Sequence, residues 1–385
     1  MKVFAIAGFI INQKIEEEGI NLKRIFAFLT LLVILNTHCF AENVVVNGQN
    51  VGESVMIDDK VYVPLRSVGE AMGAQVAWDD STKTAYVNGG IYENVPKIVE
   101  EASEYTVGVI GRYINEKGNE GVAYGSGFVI SSDGNVLTNA HVVSEMKRIL
   151  VVMNDGNGYE ALLKNIDKEA DIALLKIERT GLKHARLADM SSVAPGQTVV
   201  AIGAPISFSL RNSATIGIIS GLNRNQSNCY RLIQSDATLN HGNSGGPLIN
   251  MNGEVVGMGT QGIIGVGVSG LYFSVTAGTL KYALDQFEKY GRIRRPSIGA
   301  TLSESWLAEY DLPSDTGLEI KDIKKGSAAE KAGLEIGDAI VAVGDVYLNT
   351  IIDLNEALKS YLPGDSIPLK IKKGNSVFTV NVKAD

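Results

Sequence analysis

Short apolar runs separated by glycine-rich turns dominate the middle of the chain. The clearest of these runs are residues 125–130, 136–138, 149–153, 172–177, 198–203, 214–219 and 254–258. Each has the length of a single strand and is rich in valine and isoleucine. Strands of this length at this spacing predict a β-sandwich or a β-barrel.

Different patterns flank this β-rich centre. Residues 43–88 combine short β-type runs with one helical stretch, 65–72, that ends at Gly73. On the other side, apolar residues between Leu280 and Phe287 fall on one face of a predicted helix over residues 280–290. The pattern therefore predicts a small α+β domain before the β-rich centre and a helix after it.

Composition narrows the classes of function. The chain has 385 residues, which allows two or three domains. Its formal net charge is −8 at pH 7 and it contains no basic block, so we expect no nucleic-acid partner. It also lacks a His-Glu-x-x-His or paired-cysteine pattern, so we expect no metal and no cofactor.

The first 41 residues have the layout of an export signal. Lys23 and Arg24 precede an apolar run over residues 25–35. Polar residues 36–38 follow, and then two small residues two apart, Cys39 and Ala41. A run of eleven residues is too short to span a bilayer comfortably. We expect cleavage after Ala41 and an extracellular or cell-envelope protein; an uncleaved N-terminal membrane anchor is the alternative.

Cysteine usage agrees with a fold that needs no disulfide. The sequence contains only Cys39 and Cys229, and cleavage of the signal would remove the first. A single remaining thiol cannot form an internal disulfide. We expect Cys229 to be a partly buried structural residue.

The turn HGNSGGPL, residues 241–248, carries the strongest chemical signal. A serine hydroxyl becomes a good nucleophile only when a base removes its proton and donors stabilise the oxyanion that forms. Gly242 and Gly245 allow the backbone to bend sharply around Ser244. The N–H groups of Gly242 and Ser244 can then point into one concavity, as an oxyanion hole requires.

Two further segments supply a base and an acid. His141 lies in TNAHVV, residues 138–143, and Asp171 begins DIAL, residues 171–174. The order His, Asp, Ser is that of the chymotrypsin class. Together with GNSGGPL at 242–248, these segments resemble the three catalytic blocks of the HtrA family of serine proteases.

The resemblance covers about residues 94–383 and implies a fold and a set of roles. The fold is mainly β, a chymotrypsin-like pair of six-stranded β-barrels with the catalytic cleft between them. His141 is the general base, Asp171 orients its imidazole and Ser244 is the nucleophile. His241 is the rival base, but a residue so close to Ser244 in the turn is expected to line the cleft wall.

A primary specificity pocket is expected near Thr238 and Leu239, which precede Ser244 by six and five residues. Neither side chain is charged, and burying an unpaired charge is costly. We therefore expect this pocket to reject Lys and Arg and to accept small aliphatic residues such as Val or Ala.

The C-terminal region resembles a PDZ domain, on the segments GLEI (317–320), GSAAEKAGL (326–334) and GDAIVAV (337–343). In such a domain, Ile298, Gly299 and Ala300 would occupy the loop that binds a peptide carboxylate. Residues 353–361 would form the helix beside the peptide groove.

The N-terminal region resembles the stalk domain of copper amine oxidases, on YVPLR (62–66) and VAWD (76–79). It has no His or Cys to bind copper, so a spacer or surface-adhesion module is expected. The predicted domains are residues 1–41 (signal or anchor), 42–90 (stalk), 91–291 (protease) and 292–385 (PDZ). A short helix over residues 95–100 resembles the one that leads into HtrA protease domains.

The family resemblance implies polypeptide substrates. It implies cleavage of unfolded or damaged exported proteins, with a PDZ domain that recognises C-terminal peptides, in homotrimers or larger assemblies of the cell envelope or cell wall. The alternatives are a catalytically quiet chaperone or adaptor, and a cell-surface binding protein that uses the PDZ and stalk domains.

Overall fold

The structure is a computed structural model. It describes residues 39–41, 44–46, 49–52, 54–57, 60–88, 94–114, 118, 120–204, 210–226, 228–263, 270–310 and 312–385. The chain divides into two compact units, Met1–Asn94 and Val95–Asp385. The predicted signal lies outside the described residues, apart from Cys39–Ala41. None of the helices in the described part is long and apolar enough to cross a membrane.

The first unit consists of short strands and one helix. Its elements are β1 Cys39–Ala41, β2 Val45–Val46, β3 Gln49–Asn50, β4 Ser54–Ile57, β5 Lys60–Tyr62, α1 Leu65–Ala71, β6 Gln75–Asp79 and β7 Thr84–Asn88. The strands pair as β1-β4-β5, β2-β3 and β6-β7. Helix α1 confirms the predicted helical stretch. It packs closely on β6, because a Cβ atom on Gly69 would lie 2.5 Å from Val76 Cγ2.

The second unit begins with helix α2, Val95–Ser103, which confirms the helix predicted from residue 95. A closed barrel of six antiparallel strands follows, in the order β10-β13-β12-β11-β8-β9. Its elements are β8 Thr106–Ile114, β9 Glu120–Val129, β10 Asn135–Thr138, the short helix α3 Ala140–Val143, β11 Met146–Val152, β12 Gly158–Asp167 and β13 Ile172–Ile177. We call this the first barrel.

A second barrel has six strands in the closed order β19-β18-β15-β16-β17-β20, with β14 added in parallel to β19. Its elements are β14 Arg186–Leu187, a 3₁₀ turn Met190–Ser192, β15 Thr198–Gly203, β16 Ser213–Arg224, β17 Leu232–Ser235, β18 Pro247–Asn250, β19 Glu254–Gly262 and β20 Tyr272–Thr276. The prediction of two six-stranded barrels is confirmed.

One apolar core joins the two barrels. Leu175 of the first barrel, Ile202 of the second and Leu280 of the following helix belong to the same buried cluster. That helix, α4 Ala277–Tyr290, begins at Thr276, whose hydroxyl accepts the Thr279 N–H, and ends at a left-handed Gly291. Full burial of one such aliphatic side chain contributes about 1.5–3 kcal/mol. The shared core holds the two barrels together on either side of the predicted cleft.

The PDZ-like part has its own core, which includes Ile320, Ile340 and Leu369. Its elements are β21 Ala300–Ser303, α5 Trp306–Glu309, β22 Leu318–Ile323, α6 Ala328–Lys331, β23 Ala339–Val343, β24 Val346–Tyr347, α7 Ile351–Leu358, β25 Ser366–Lys373 and β26 Ser376–Lys383. The sheet order is β21-β22-β23-β25-β26, with β24 on β23. Helix α7 corresponds to the predicted groove helix. The predicted boundaries at 90/91 and 291/292 stay predictions.

Candidate active site

The first barrel brings His141 and Asp171 together at the ends of two paired strands. Strands β10 and β13 pair Thr138 with Ala173, so the segments that continue from these ends are neighbours. His141 Nδ1 lies 2.9 Å from Asp171 Oδ2, and the His141 N–H donates to Asp171 Oδ1 at 3.0 Å. The Asp171 side chain is 16% exposed and the imidazole is 51% exposed. The carboxylate therefore orients the ring, and Nε2 faces away from it.

Asp171 is held by groups that sequence reasoning missed. The Thr260 hydroxyl, on β19 of the second barrel, donates to Asp171 Oδ2 at 2.5 Å. The Asn139 side chain donates to the Asp171 carbonyl oxygen at 3.0 Å. Asp171 itself has a φ of 56°, in the left-handed region that non-glycine residues rarely adopt. These contacts fix an unusual backbone conformation at the candidate orienting acid.

Ser244 lies in the turn between β17 and β18. Its hydroxyl donates to the carbonyl oxygen of Thr260 at 3.1 Å. In the described part of the chain, no hydrogen bond joins this hydroxyl to His141 or to His241. Thr260 therefore contacts Asp171 through its side chain and Ser244 through its backbone. One hydrogen-bonded network contains all three residues predicted for catalysis.

The turn around Ser244 depends on glycine. Gly242 has a φ of 100° and Gly245 a φ of 87°, both in the region that favours glycine. A Cβ atom on Gly245 would lie 2.1 Å from the carbonyl oxygen of Ser126. Among the described residues, no acceptor is hydrogen-bonded to the N–H of Gly242 or of Ser244. Both N–H groups are thus available for an oxyanion, and that role stays a prediction.

A cavity of about 390 Å³ adjoins the His141–Asp171 pair. Lys168, Asn228 and Gln261 contribute to its polar wall. The cavity is large enough for substrate side chains and opens next to the residues that would perform the chemistry.

The predicted specificity residues lie nearby in the second barrel. Leu239 is buried, and a Cβ atom on Gly259 of β19 would lie 3.1 Å from its Cδ1. The Thr238 carbonyl oxygen accepts the hydroxyl of Thr215 at 2.9 Å. No charged side chain occupies either position, and their role in specificity stays a prediction.

The predicted carboxylate loop precedes strand β21, which lies at the edge of its sheet and, within the described residues, pairs with β22 alone. Ile298 is buried, and its carbonyl oxygen accepts the Ala329 N–H at 2.8 Å. Gly299 has a φ of 70°, and a Cβ atom there would lie 2.4 Å from Ser327 Cβ. Ala300 begins β21. The free edge of β21 offers backbone groups that an added peptide strand requires, and the loop assignment stays a prediction.

Helix α7 also contacts the second barrel, which sequence reasoning did not predict. The Arg231 guanidinium forms an ion pair with Asp353, and the Arg231 N–H donates to Glu356 Oε1 at 3.0 Å. Asn355 donates to the carbonyl oxygen of Cys229 at 3.0 Å.

The Cys229 thiol is partly buried, as predicted, and burial raises its pKa to about 11. The thiol is therefore protonated at neutral pH, and its structural role stays a prediction.

Family models match three parts of the chain. Residues 125–258 match the trypsin-like peptidase domain, and residues 296–384 match the PDZ domain. Residues 45–101 match the copper amine oxidase N-terminal domain.

Several curated proteins are similar in sequence. A probable periplasmic serine endoprotease DegP-like of Chlamydia trachomatis is 36% identical over 265 residues, 67% of this chain and 53% of the relative. The putative serine protease HhoB of Synechocystis is 36% identical over 267 residues, 65% of this chain and 63% of the relative. Serine protease HTRA4 of Homo sapiens is 31% identical over 344 residues, 82% of this chain and 70% of the relative. The matches thus span between 53% and 70% of the length of these relatives.

Solved structures show the same arrangement. The HtrA-type protease AlgW with a tripeptide has a TM-score of 0.65 and 26% identity, and the match covers 76% of this chain and 96% of that one. The serine endoprotease from Yersinia pestis has a TM-score of 0.60 and 28% identity, over 75% of this chain and 96% of that one.

Proposed function

Because the chain belongs to the HtrA (DegP) family of serine proteases, we propose that it is a serine endopeptidase that acts through His141, Asp171 and Ser244. The observation that carries this proposal is the network in which Thr260 contacts both Asp171 and Ser244 while His141 contacts Asp171. A hydroxyl, an imidazole and a carboxylate in one network are the groups that acyl transfer requires.

The reaction would proceed in two halves. His141 Nε2 takes the Ser244 proton as the hydroxyl attacks the scissile carbonyl carbon. The N–H groups of Gly242 and Ser244 stabilise the resulting oxyanion, and each such donor contributes about a hundredfold to a thousandfold in kcat. The imidazolium then protonates the leaving amine. Water, deprotonated by the same imidazole, hydrolyses the acyl-enzyme.

The substrates we propose are unfolded or damaged exported polypeptides. Relatives described as periplasmic support export to the cell envelope.

The uncharged residues Thr238 and Leu239 support cleavage after small aliphatic residues. A peptide library with every residue at the position before the scissile bond tests this preference. We expect Val and Ala to dominate; dominance of Lys or Arg would exclude the proposed pocket.

The PDZ domain is proposed to bind C-terminal peptides, by adding them to the free edge of β21. The AlgW structures with a bound tripeptide or decapeptide support peptide binding in this family. The proposal also includes a homotrimer or larger assembly, and a spacer or wall-binding role for residues 42–90. Size-exclusion chromatography with light scattering tests the assembly: a mass of three or more chains is expected, and a monomer would contradict this part of the proposal.

Peptidase assays on three variants test the central assignment. We expect His141→Ala and Ser244→Ala to lose activity on a reduced, unfolded protein substrate, whereas His241→Ala keeps it. Loss in His241→Ala with activity retained in His141→Ala would reverse the assignment of the base. A folded wild-type chain that binds peptides without cleaving them would favour the alternative, a chaperone or adaptor.

A further inference from the structure

Ser126 lies on β9 of the first barrel, and its side chain is fully buried against the second barrel. Its hydroxyl donates to the carbonyl oxygen of Gly242 at 2.6 Å and accepts the N–H of Ala204 at 2.9 Å. Both partners are backbone groups of the second barrel. One side chain of the first barrel therefore ties two segments of the second in place, and one of these segments is the turn that carries the nucleophile.

The backbone of Ser126 contacts the same turn. Its N–H donates to the carbonyl oxygen of Ser244 at 2.8 Å. Ser126 thus holds the carbonyl groups of Gly242 and Ser244, the two residues whose N–H groups form the proposed oxyanion hole.

The peptide units that follow these residues are fixed at both ends. The N–H of Asn243 donates to the carbonyl oxygen of Asn240 at 2.9 Å, and the N–H of Gly245 donates to that of Gly259 at 2.8 Å. A peptide unit held through both its oxygen and its nitrogen cannot turn without breaking two hydrogen bonds. This restraint matters most at Gly242, because glycine itself restricts rotation least.

Close packing leaves the Ser126 hydroxyl little freedom. A Cβ atom on Gly203 would lie 2.8 Å from Ser126 Oγ and 2.7 Å from Asn243 Oδ1. A Cβ atom on Gly125 would lie 3.2 Å from the carbonyl oxygen of Ser244. Glycine at these positions lets β9 and the end of β15 approach the turn, so the hydroxyl meets the Gly242 carbonyl oxygen at hydrogen-bond distance.

We propose that Ser126 is a positioning residue for catalysis: its hydroxyl fixes the Gly242–Asn243 peptide unit, which directly follows the unit that carries the Gly242 N–H. The anchored carbonyl group limits rotation at Gly242 and so keeps its N–H from turning away from the developing oxyanion. The inference rests on the proposed peptidase function. Without the hydroxyl, the Gly242 carbonyl oxygen loses its partner in a buried site, and rotation at Gly242 moves the N–H away from the oxyanion. A donor displaced by about 1 Å lowers the rate about a hundredfold.

The test compares Ser126→Ala with wild type in the full chain. A fluorophosphonate first titrates the fraction of competent sites to its end point, which corrects for misfolded protein. Steady-state hydrolysis of a peptide substrate then gives kcat per titrated site and KM. We expect kcat per site to fall about tenfold to hundredfold with KM unchanged. Affinity for a peptide aldehyde, whose adduct carries an oxyanion, should fall by a similar factor, whereas affinity for the cleaved product should not change.

Two further variants test whether the effect is specific to the Ser126 hydroxyl. Ser274→Ala removes another fully buried hydroxyl of the second barrel, and we expect kcat per site to equal that of wild type. Ser126→Cys retains a weak donor in a slightly larger side chain, so we expect a kcat between those of wild type and Ser126→Ala.

An unchanged kcat per titrated site in Ser126→Ala, or in Ser126→Cys if only that variant folds, would overturn the inference and leave the peptidase assignment intact. A wild-type protein that neither reacts with the fluorophosphonate nor cleaves peptides would instead overturn the proposed function.

Discussion

The two barrels hold their candidate catalytic groups in different ways. The first barrel presents His141 and Asp171 next to paired strand ends and fixes them mainly through side-chain hydrogen bonds. The second barrel presents Ser244 in a turn whose shape depends on backbone hydrogen bonds and on glycines with positive φ. Substitutions at the first pair should therefore change the chemistry with little effect on folding, whereas substitutions in the turn should change both.

The largest effect of this kind is expected for Asp171→Asn. The amide can occupy the same space, but it no longer holds His141 in the tautomer that accepts the Ser244 proton. We expect kcat to fall about ten-thousandfold, with a melting temperature close to that of wild type. Asp155→Asn, in an exposed turn of the same barrel, is the control and should keep full activity. A decrease in kcat of less than about tenfold would show that Asp171 does not orient the base.

The turn of the second barrel is tested by Gly245→Ala. The added Cβ atom would lie 2.1 Å from the Ser126 carbonyl oxygen, at a φ of 87°. The left-handed backbone alone costs about 1–3 kcal/mol, and displacement of the turn should lower kcat at least about a hundredfold. Urea unfolding and peptidase assays measure the two effects.

Gly253→Ala separates the clash from the backbone strain. Gly253 also has a positive φ, 75°, but a Cβ atom there would meet nothing within 4 Å. We expect Gly253→Ala to lose some stability and keep its kcat. If Gly245→Ala behaved in the same way as this control, the contact between the turn and the first barrel would have no role in catalysis.

Thr260→Val tests the residue that connects the two barrels. Removing the hydroxyl deletes its hydrogen bond to Asp171 but retains the carbonyl oxygen that Ser244 contacts. A hydrogen bond to a charged group contributes about 1.5–3 kcal/mol, so we expect kcat to fall about tenfold or more. Thr106→Val removes a buried hydroxyl bond outside the site and should lower stability alone. Equal kcat values in the two variants would exclude this role for Thr260.

The smallest effect concerns the PDZ domain, which contacts the second barrel through Asp353. Burial alone would raise the pKa of this carboxyl group, but the N–H groups of Asn349 and Thr350 and the Arg231 guanidinium hold it below its usual value. Because the folded-state pKa is lowered, the ionised carboxylate stabilises the fold at pH values above the unfolded-state pKa of about 3.9. This stabilisation is lost as the pH falls through the folded-state pKa.

Thermal unfolding of wild type and Asp353→Asn between pH 7 and pH 3 measures this contribution. We expect wild type to be more stable at pH 7 and the difference to shrink below about pH 4. A difference that stays constant over this range would contradict the account of the Asp353 contact.

Most of the fold and the reacting groups were predictable from the sequence. The repeated short apolar runs predict a sandwich or a barrel, and the family resemblance narrows this to two barrels. His141, Asp171 and Ser244 each lie in a segment of recognisable composition. These signals are local, because each depends on a few consecutive residues. Helices α1 and α4 were predicted for the same reason, and helix α7 was predicted from the PDZ resemblance. The observed ends of these helices differ from the predicted ones by a few residues.

Contacts between distant segments were not predictable in this way. Thr260 is one threonine in a strand, and its contact with Asp171 depends on how the two barrels pack. The glycines on both sides of Ser126 gave a weak signal. Glycine beside a serine allows another segment to approach closely, but the sequence does not identify that segment. The pairing of Arg231 with Asp353 joins positions far apart in the chain. Such contacts result from tertiary packing rather than from local pattern.

The most direct test of the central claim is to map, by mass spectrometry of the full chain, which serine a fluorophosphonate modifies. The account predicts one adduct per chain, on Ser244, formed at the wild-type rate in His241→Ala and at least about a hundredfold more slowly in His141→Ala. An unmodified Ser244 in folded protein, or modification of several serines at similar rates, would contradict it.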